Sequence, residues 1–196
     1  LEDPVDVYQP EPRGTREPFG FELDFHTDRA PYQWPPVTPR YEIPCRVEGH
    51  VLLGDERIEV DGWGQRDHSW GERDWWTYGW SWAAGRLDDG TRWHGTQVAL
   101  GDLQLYGTGY LQTPGGDLVG TDDVERGQVL GPDGLPASGT WRVGDLAMTV
   151  EPVAFAPVLL TAPDGRTSRF PRAWCRTTTG DGRTGHAWVE WNQPQP

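Results

Sequence analysis

The chain has 196 residues, 35% of them hydrophobic, and a formal net charge of −13 in which every basic residue is an arginine. That length suits one sizeable domain, and the charge repels phosphate backbones and anionic membrane surfaces. No apolar run approaches the roughly 18–20 residues of a membrane helix, so neither nucleic-acid binding nor membrane insertion is expected.

Leu1 to Glu17 is polar and proline-rich and reads as a tail. It has no basic head followed by an apolar core, so no signal peptide is visible and a cytoplasmic setting is expected. Phe19, Phe21, Leu23 and Phe25 alternate with polar or small residues, which predicts a half-buried strand over 19–26. Pro31, Pro35, Pro36 and Pro39 then make a stiff connector that cannot join the middle of a sheet. Residues 1–40 are therefore expected to be an N-terminal extension, and residues 41–193 the body of the fold. Cys45 and Cys175 are the only cysteines, too few and too far apart for a small disulfide framework. Both read as reduced, buried thiols.

From Tyr41 onward the chain reads as hairpins. Segments 46–53 and 57–61 flank the turn Gly54-Asp55-Glu56, and a loop rich in charge and tryptophan follows. Trp76, Tyr78, Trp80 and Trp82 then fall on alternate positions, so a strand there would turn four large rings to one side. Turns at Asp88-Asp89-Gly90 and Gly101-Asp102 return the chain twice, and segments 118–130, 139–144, 146–153, 158–162, 168–178 and 185–191 continue the pattern. Roughly ten short strands at this spacing predict an all-β, antiparallel, up-and-down barrel, since closure removes exposed edges.

The stretch from Gly62 to Trp76 holds two Arg, two Asp, one Glu, one His and four Trp. Run extended, it puts Arg66, His68 and Trp70 on one face and Asp67 and Ser69 on the other. An imidazole beside an indole in a dry site makes a proton carrier and a wall. The competing reading is structural: Arg66, Arg73 and Asp74 with their neighbours would form an ion-pair network closing a barrel end. The aromatic positions Trp76, Tyr78, Trp80 and Trp82, with Trp93 and His94 on the next strand, either line a ligand cavity or pack as ordinary core. Dispersed histidines predict no metal site, and no glycine-rich loop before a helix offers a nucleotide cofactor a seat. Ser69 has no nucleophile elbow around it.

Arg66-Asp67-His68-Ser69-Trp70-Gly71 resembles the signature of the carotenoid 1,2-hydratase-like superfamily, whose members are built from two lipocalin-like barrels. Pro44-Cys45-Arg46 and Glu190-Trp191-Asn192 are similar to further elements of its uncharacterised bacterial members. The resemblance covers Phe19 to Gln193 and implies a lipocalin-like barrel, the second of the two. It implies a site at His68 and Trp70; Asp67 is expected to belong to that catalytic site, with Arg66 and Asp67 orienting the loop. The aromatic-x-acid pair that completes the hydratase site is replaced by Trp93-His94-Gly95, with no carboxylate. The expected partner is a hydrophobic small molecule, isoprenoid, steroid-like or polyketide, turned over without a cofactor in a lyase, hydratase or isomerase step with His68 as acid/base. A missing N-terminal barrel or a homodimer partner would complete a pocket shared between barrels. A carrier without chemistry and a carbohydrate-binding β-domain are the alternatives.

Overall fold

A computed structural model describes residues 3–27, 30–36, 38–101 and 103–195, which form a 3-10 helix, Pro4–Tyr8, and fifteen strands. The chain divides into two compact units, Gly14–Gly71 and Leu1–Arg13 with Glu72–Pro196.

The smaller unit is a four-stranded antiparallel sheet of β1 (Phe19–Thr27), β2 (Tyr32–Gln33), β3 (Arg40–Leu53) and β4 (Glu56–Ser69). A two-residue turn, with Gly54 at φ +59 supplying the positive dihedral its first central position needs, folds β3 on β4. Their register runs unbroken from Leu53 opposite Glu56 to Arg40 opposite Ser69. The other side of β3 takes β1 and β2. β1 comes so close at Gly49 that a Cβ there would stand 2.1 Å from the Glu22 carbonyl oxygen. This unit corrects two expectations. Residues 62–69 are strand rather than loop, and the 41–69 hairpin pairs within its own sheet instead of opening the barrel. The alternation of β1 is present, although Phe19, Phe21 and Phe25 are exposed.

The larger unit carries an eleven-stranded antiparallel sheet. Its strands are β5 (Gly79–Leu87), β6 (Arg92–Leu100), β7 (Leu103–Gln112), β8 (Leu118–Thr121), β9 (Val124–Leu130), β10 (Pro136–Val143), β11 (Leu146–Phe155), β12 (Val158–Thr161), β13 (Thr167–Phe170), β14 (Arg172–Thr179) and β15 (Thr184–Pro194). The order is β8-β7-β6-β5-β15-β14-β11-β10-β9, with the β12–β13 hairpin attached through β15. The sheet curls into a half-barrel, consistent with the expected lipocalin-like barrel. Segment 118–130 is two strands at opposite ends of that path, broken at Asp122-Asp123. Asp102, in an expected turn, lies outside the described residues.

Curling brings β9 onto β7, where Gln104 Nε2 donates to the Val124 carbonyl at 2.9 Å. The concave face is the core: Ala83, Leu87, Trp93, Trp141, Val143, Met148, Val150, Cys175, Val189 and Trp191 are buried together. Gly95 admits this packing, since a Cβ there would lie 3.0–3.2 Å from Val143, Trp141 and Val124 side chains. Trp93 and Trp141, with ring centroids 6.2 Å apart, dominate it. Burying an aromatic ring removes about 150–250 Å² from water, roughly 4–6 kcal/mol of gross transfer free energy per ring. Among the described residues no helix is long and apolar enough to cross a membrane.

Candidate functional site

Two regions hold the side chains singled out above, one on each unit. In the smaller unit, register sets His68 opposite Tyr41. Their rings stack at 5.1 Å and 10°. Trp70 stands edge-on to His68 at 5.4 Å and 75°, and the Arg66 guanidinium lies 5.6 Å over the Tyr41 ring. The shared face of Arg66, His68 and Trp70 is thus present. The dry surroundings are not: His68 is exposed, and so is Trp70 at 54%.

The opposite face of this hairpin carries the charge. Arg40 Nε donates to Glu42 Oε1 at 2.8 Å, Gln65 Nε2 donates to Glu42 Oε2 at 3.1 Å, and Arg40 also binds Asp67. The Arg40 guanidinium lies 4.5 Å from the Trp34 ring centroid. Glu42 is fully buried. Arg40, Glu42 and Asp67, which the sequence did not single out together, form an ion-pair network on this face. Arg66 makes no ion pair among the described residues, because strand alternation turns it to the aromatic face. Asp74 caps a turn, accepting from the Trp76 and Thr77 amides at 2.9 Å each. Hydrogen bonds from the Thr77 side chain and these two amides hold its carboxyl below the usual range. Arg73 precedes it in the same loop, and Gly71 ends the smaller unit, so the charged stretch is split between units.

In the larger unit the four-ring stripe is shorter than expected. β5 begins at Gly79, so Trp76 and Tyr78 precede the strand. Asn192 explains the delay: its Nδ2 donates to the carbonyls of Trp75 at 3.1 Å and Tyr78 at 2.9 Å, and its Oδ1 accepts from Ser168 Oγ at 2.8 Å. Backbone tied to this amide does not pair with a strand. Trp80 packs in a triangle with Trp75 and Phe170 at 5.3 Å from each. Trp76 lies under the Arg166 guanidinium at 5.9 Å, and Tyr78 is exposed.

Trp93 and His94 likewise do not share a wall. Alternation buries Trp93 in the concave core and sends His94 to the other face of β6. There, cross-strand register aligns Ala84, His94 and Tyr110 in one row and Trp82, Thr96 and Thr108 in the next. The His94 ring lies 5.3 Å from Trp82 and 5.6 Å from Tyr110. His94 is 0% and Tyr110 1% exposed, and Trp82, Thr96 and Thr108 are also buried. His94 Nδ1 lies 2.9 Å from the Ala83 carbonyl oxygen. A carbonyl can only accept, so Nδ1 carries a proton, and in the neutral ring the lone pair falls to Nε2. Thr96 Oγ1 is buried with no hydrogen-bond partner among the described residues. Buried hydroxyls are rarely left so, and such a group commonly faces a ligand or water.

This arrangement holds an imidazole of fixed tautomer between two aromatic rings, beside an unsatisfied hydroxyl, on the sheet face opposite the core. Sequence reasoning missed Tyr110, Thr96, Tyr41 and Glu42. Tyr110 and Thr96 were reachable only through the β6–β7 register, which a bulge at Val98/Ala99 shifts.

A curled antiparallel sheet of this order places the chain in the lipocalin-like class of fold. Within that class the chain belongs to the family described as domain of unknown function (DUF7064), which matches residues 7–195. No curated protein matches the sequence. Solved structures of similar fold include an AttH-assigned protein from Nitrosomonas europaea, at 17% identity and a TM-score of 0.66, covering 92% of this chain and 63% of that one. Kievitone hydratase from Nectria haematococca is similar at 9% identity and a TM-score of 0.60, covering 89% and 61%. CghA is similar at 10% identity and a TM-score of 0.61, covering 90% and 61%. At such identities the likeness is one of fold, and the chain spans about three-fifths of each of these proteins.

Proposed function

We propose that the chain binds an apolar small molecule of isoprenoid, steroid-like or polyketide type and catalyses a hydratase- or isomerase-type proton transfer, with His94 as the acid/base. The observation that carries this reading is the buried His94 ring, fixed through Nδ1 on the Ala83 carbonyl between Trp82 and Tyr110. A neutral imidazole so held accepts a proton at Nε2 and can return it to a neighbouring carbon or oxygen. Such help supplies about 10²–10⁴-fold in rate, too little for an isolated alkene but suited to one conjugated with a carbonyl. The indole and phenol faces stabilise positive charge developing beside them by about 0.5–2 kcal/mol each. One protein sharing the fold is named a hydratase, in keeping with this chemistry.

The second reading gives the acid/base role to His68, with Trp70 as wall. Its support is the Tyr41–His68–Trp70 stack, and it requires a ligand to displace water from an exposed ring.

Tryptophan fluorescence with a panel of terpenoids and polyketides set against a panel of glycans tests the ligand class. Apolar ligands are expected to quench the wild-type protein and its His94→Gln and His68→Gln variants alike. Quenching by glycans alone would favour a carbohydrate-binding domain and overturn the proposal.

A further inference from the structure

We infer a second ligand site on the concave face of the larger sheet, where Arg126 of β9 receives the carboxylate of an apolar organic acid. Register places Arg126 in one cross-strand row with Trp141 and Met148, both buried in the core. The neighbouring carboxylates on this stretch, Asp123 and Glu125, cannot neutralise it. Both bind Arg142 on the opposite face, Glu125 at 2.6 Å. What remains to Arg126 among the described residues is a single bond, from Nη1 to the neutral Gln128 Oε1 at 3.0 Å. Its Nε is buried with no partner.

A guanidinium taken out of water without a counter-ion is costly, and proteins pair such charges. Burial alone lowers the Arg126 pKa, with no acidic neighbour acting against it. The side chain is only half-buried, so its outer nitrogens remain reachable. Its fork of N–H donors matches a carboxylate bidentately, and a cavity of about 630 Å³ that Arg126 lines together with Trp141 and Met148 gives the apolar part of an organic acid room beside it, which favours such an acid over an inorganic ion. The site lies on the sheet face opposite His94, so it is independent of the proton-transfer proposal.

Calorimetric titration of the full chain with decanoate, decanol and inorganic phosphate tests the site. Decanoate is expected to bind at least about tenfold tighter than decanol, equivalent to about 1.4 kcal/mol, with phosphate weaker than either. Arg126→Gln is expected to erase the preference for the acid while leaving decanol binding unchanged, and His94→Gln to leave decanoate binding unchanged. Equal affinity for acid and alcohol, no binding of decanoate, or phosphate binding as tightly as decanoate would each overturn the inference without touching the proposed function. Thermal unfolding of ligand-free Arg126→Met separates a structural role: removing an unpaired cation is expected to leave the melting temperature unchanged or raised, and a marked fall would show Arg126 to be a fold-holding residue instead.

Discussion

The buried groups of this chain owe their properties to a few specific neighbours and to burial itself. Glu42 is fully buried, yet nothing in Tyr41 to Cys45 marks it as special. Its burial depends on Arg40, two residues back along the same face, and Gln65 across the hairpin. His94 shows the same limit from the other side, since sequence places it next to Trp93 and only alternation separates the two. Burial pushes the Cys175 thiol up from 9.0 to about 12. It also raises the Tyr8 phenol from 10.0 to about 12, partly opposed by Arg169. Both folded-state values exceed the unfolded ones, so the full contribution to stability is present below pH 9.0 and is lost as pH rises from there to about 12. Urea midpoints measured across that range should fall, and Cys175→Ala should flatten the early part of the fall. A midpoint independent of pH in wild type would contradict the burial of these groups.

Individual elements were legible where local chemistry decides them. The strand β1 and the glycine turn between β3 and β4 both stand where pattern puts them, although the phenylalanine face of β1, expected to be buried, is exposed. The strand expected at Trp76 does not, because alternation there is overridden by the Asp74 turn and by Asn192, a residue more than a hundred positions away. Asn192 accordingly acts as the clasp for the loop before β5, which gives the terminal Glu190-Trp191-Asn192 a structural reason. Asn192→Ala leaves two carbonyls and the Ser168 hydroxyl without this partner. We expect it to cost about 1–3 kcal/mol and to speed amide exchange over residues 75–78. Unchanged exchange there would show that the Trp75–Trp80–Phe170 triangle holds the loop by itself.

Across the whole molecule, strand spacing and turn residues disclosed the all-β class and the curled antiparallel sheet. They did not disclose the division into two sheets. A strand's pattern reports its two faces, whereas the choice of edge partner is made between residues far apart in sequence. The same distinction governs the site: the residues that surround His94 come from β5, β6 and β7, joined by register alone. The central claim is that this assembled face moves a proton on an apolar ligand. Incubation in D2O with each apolar ligand found to bind, followed by mass spectrometry of the recovered molecule and its products, reads that step whatever product forms. The account predicts deuterium on carbon with wild type and with His68→Gln, and a loss of about 10²–10⁴-fold in its rate of incorporation with His94→Gln. Ligand recovered intact and unlabelled from the wild-type protein, or labelling undiminished in His94→Gln, would contradict it.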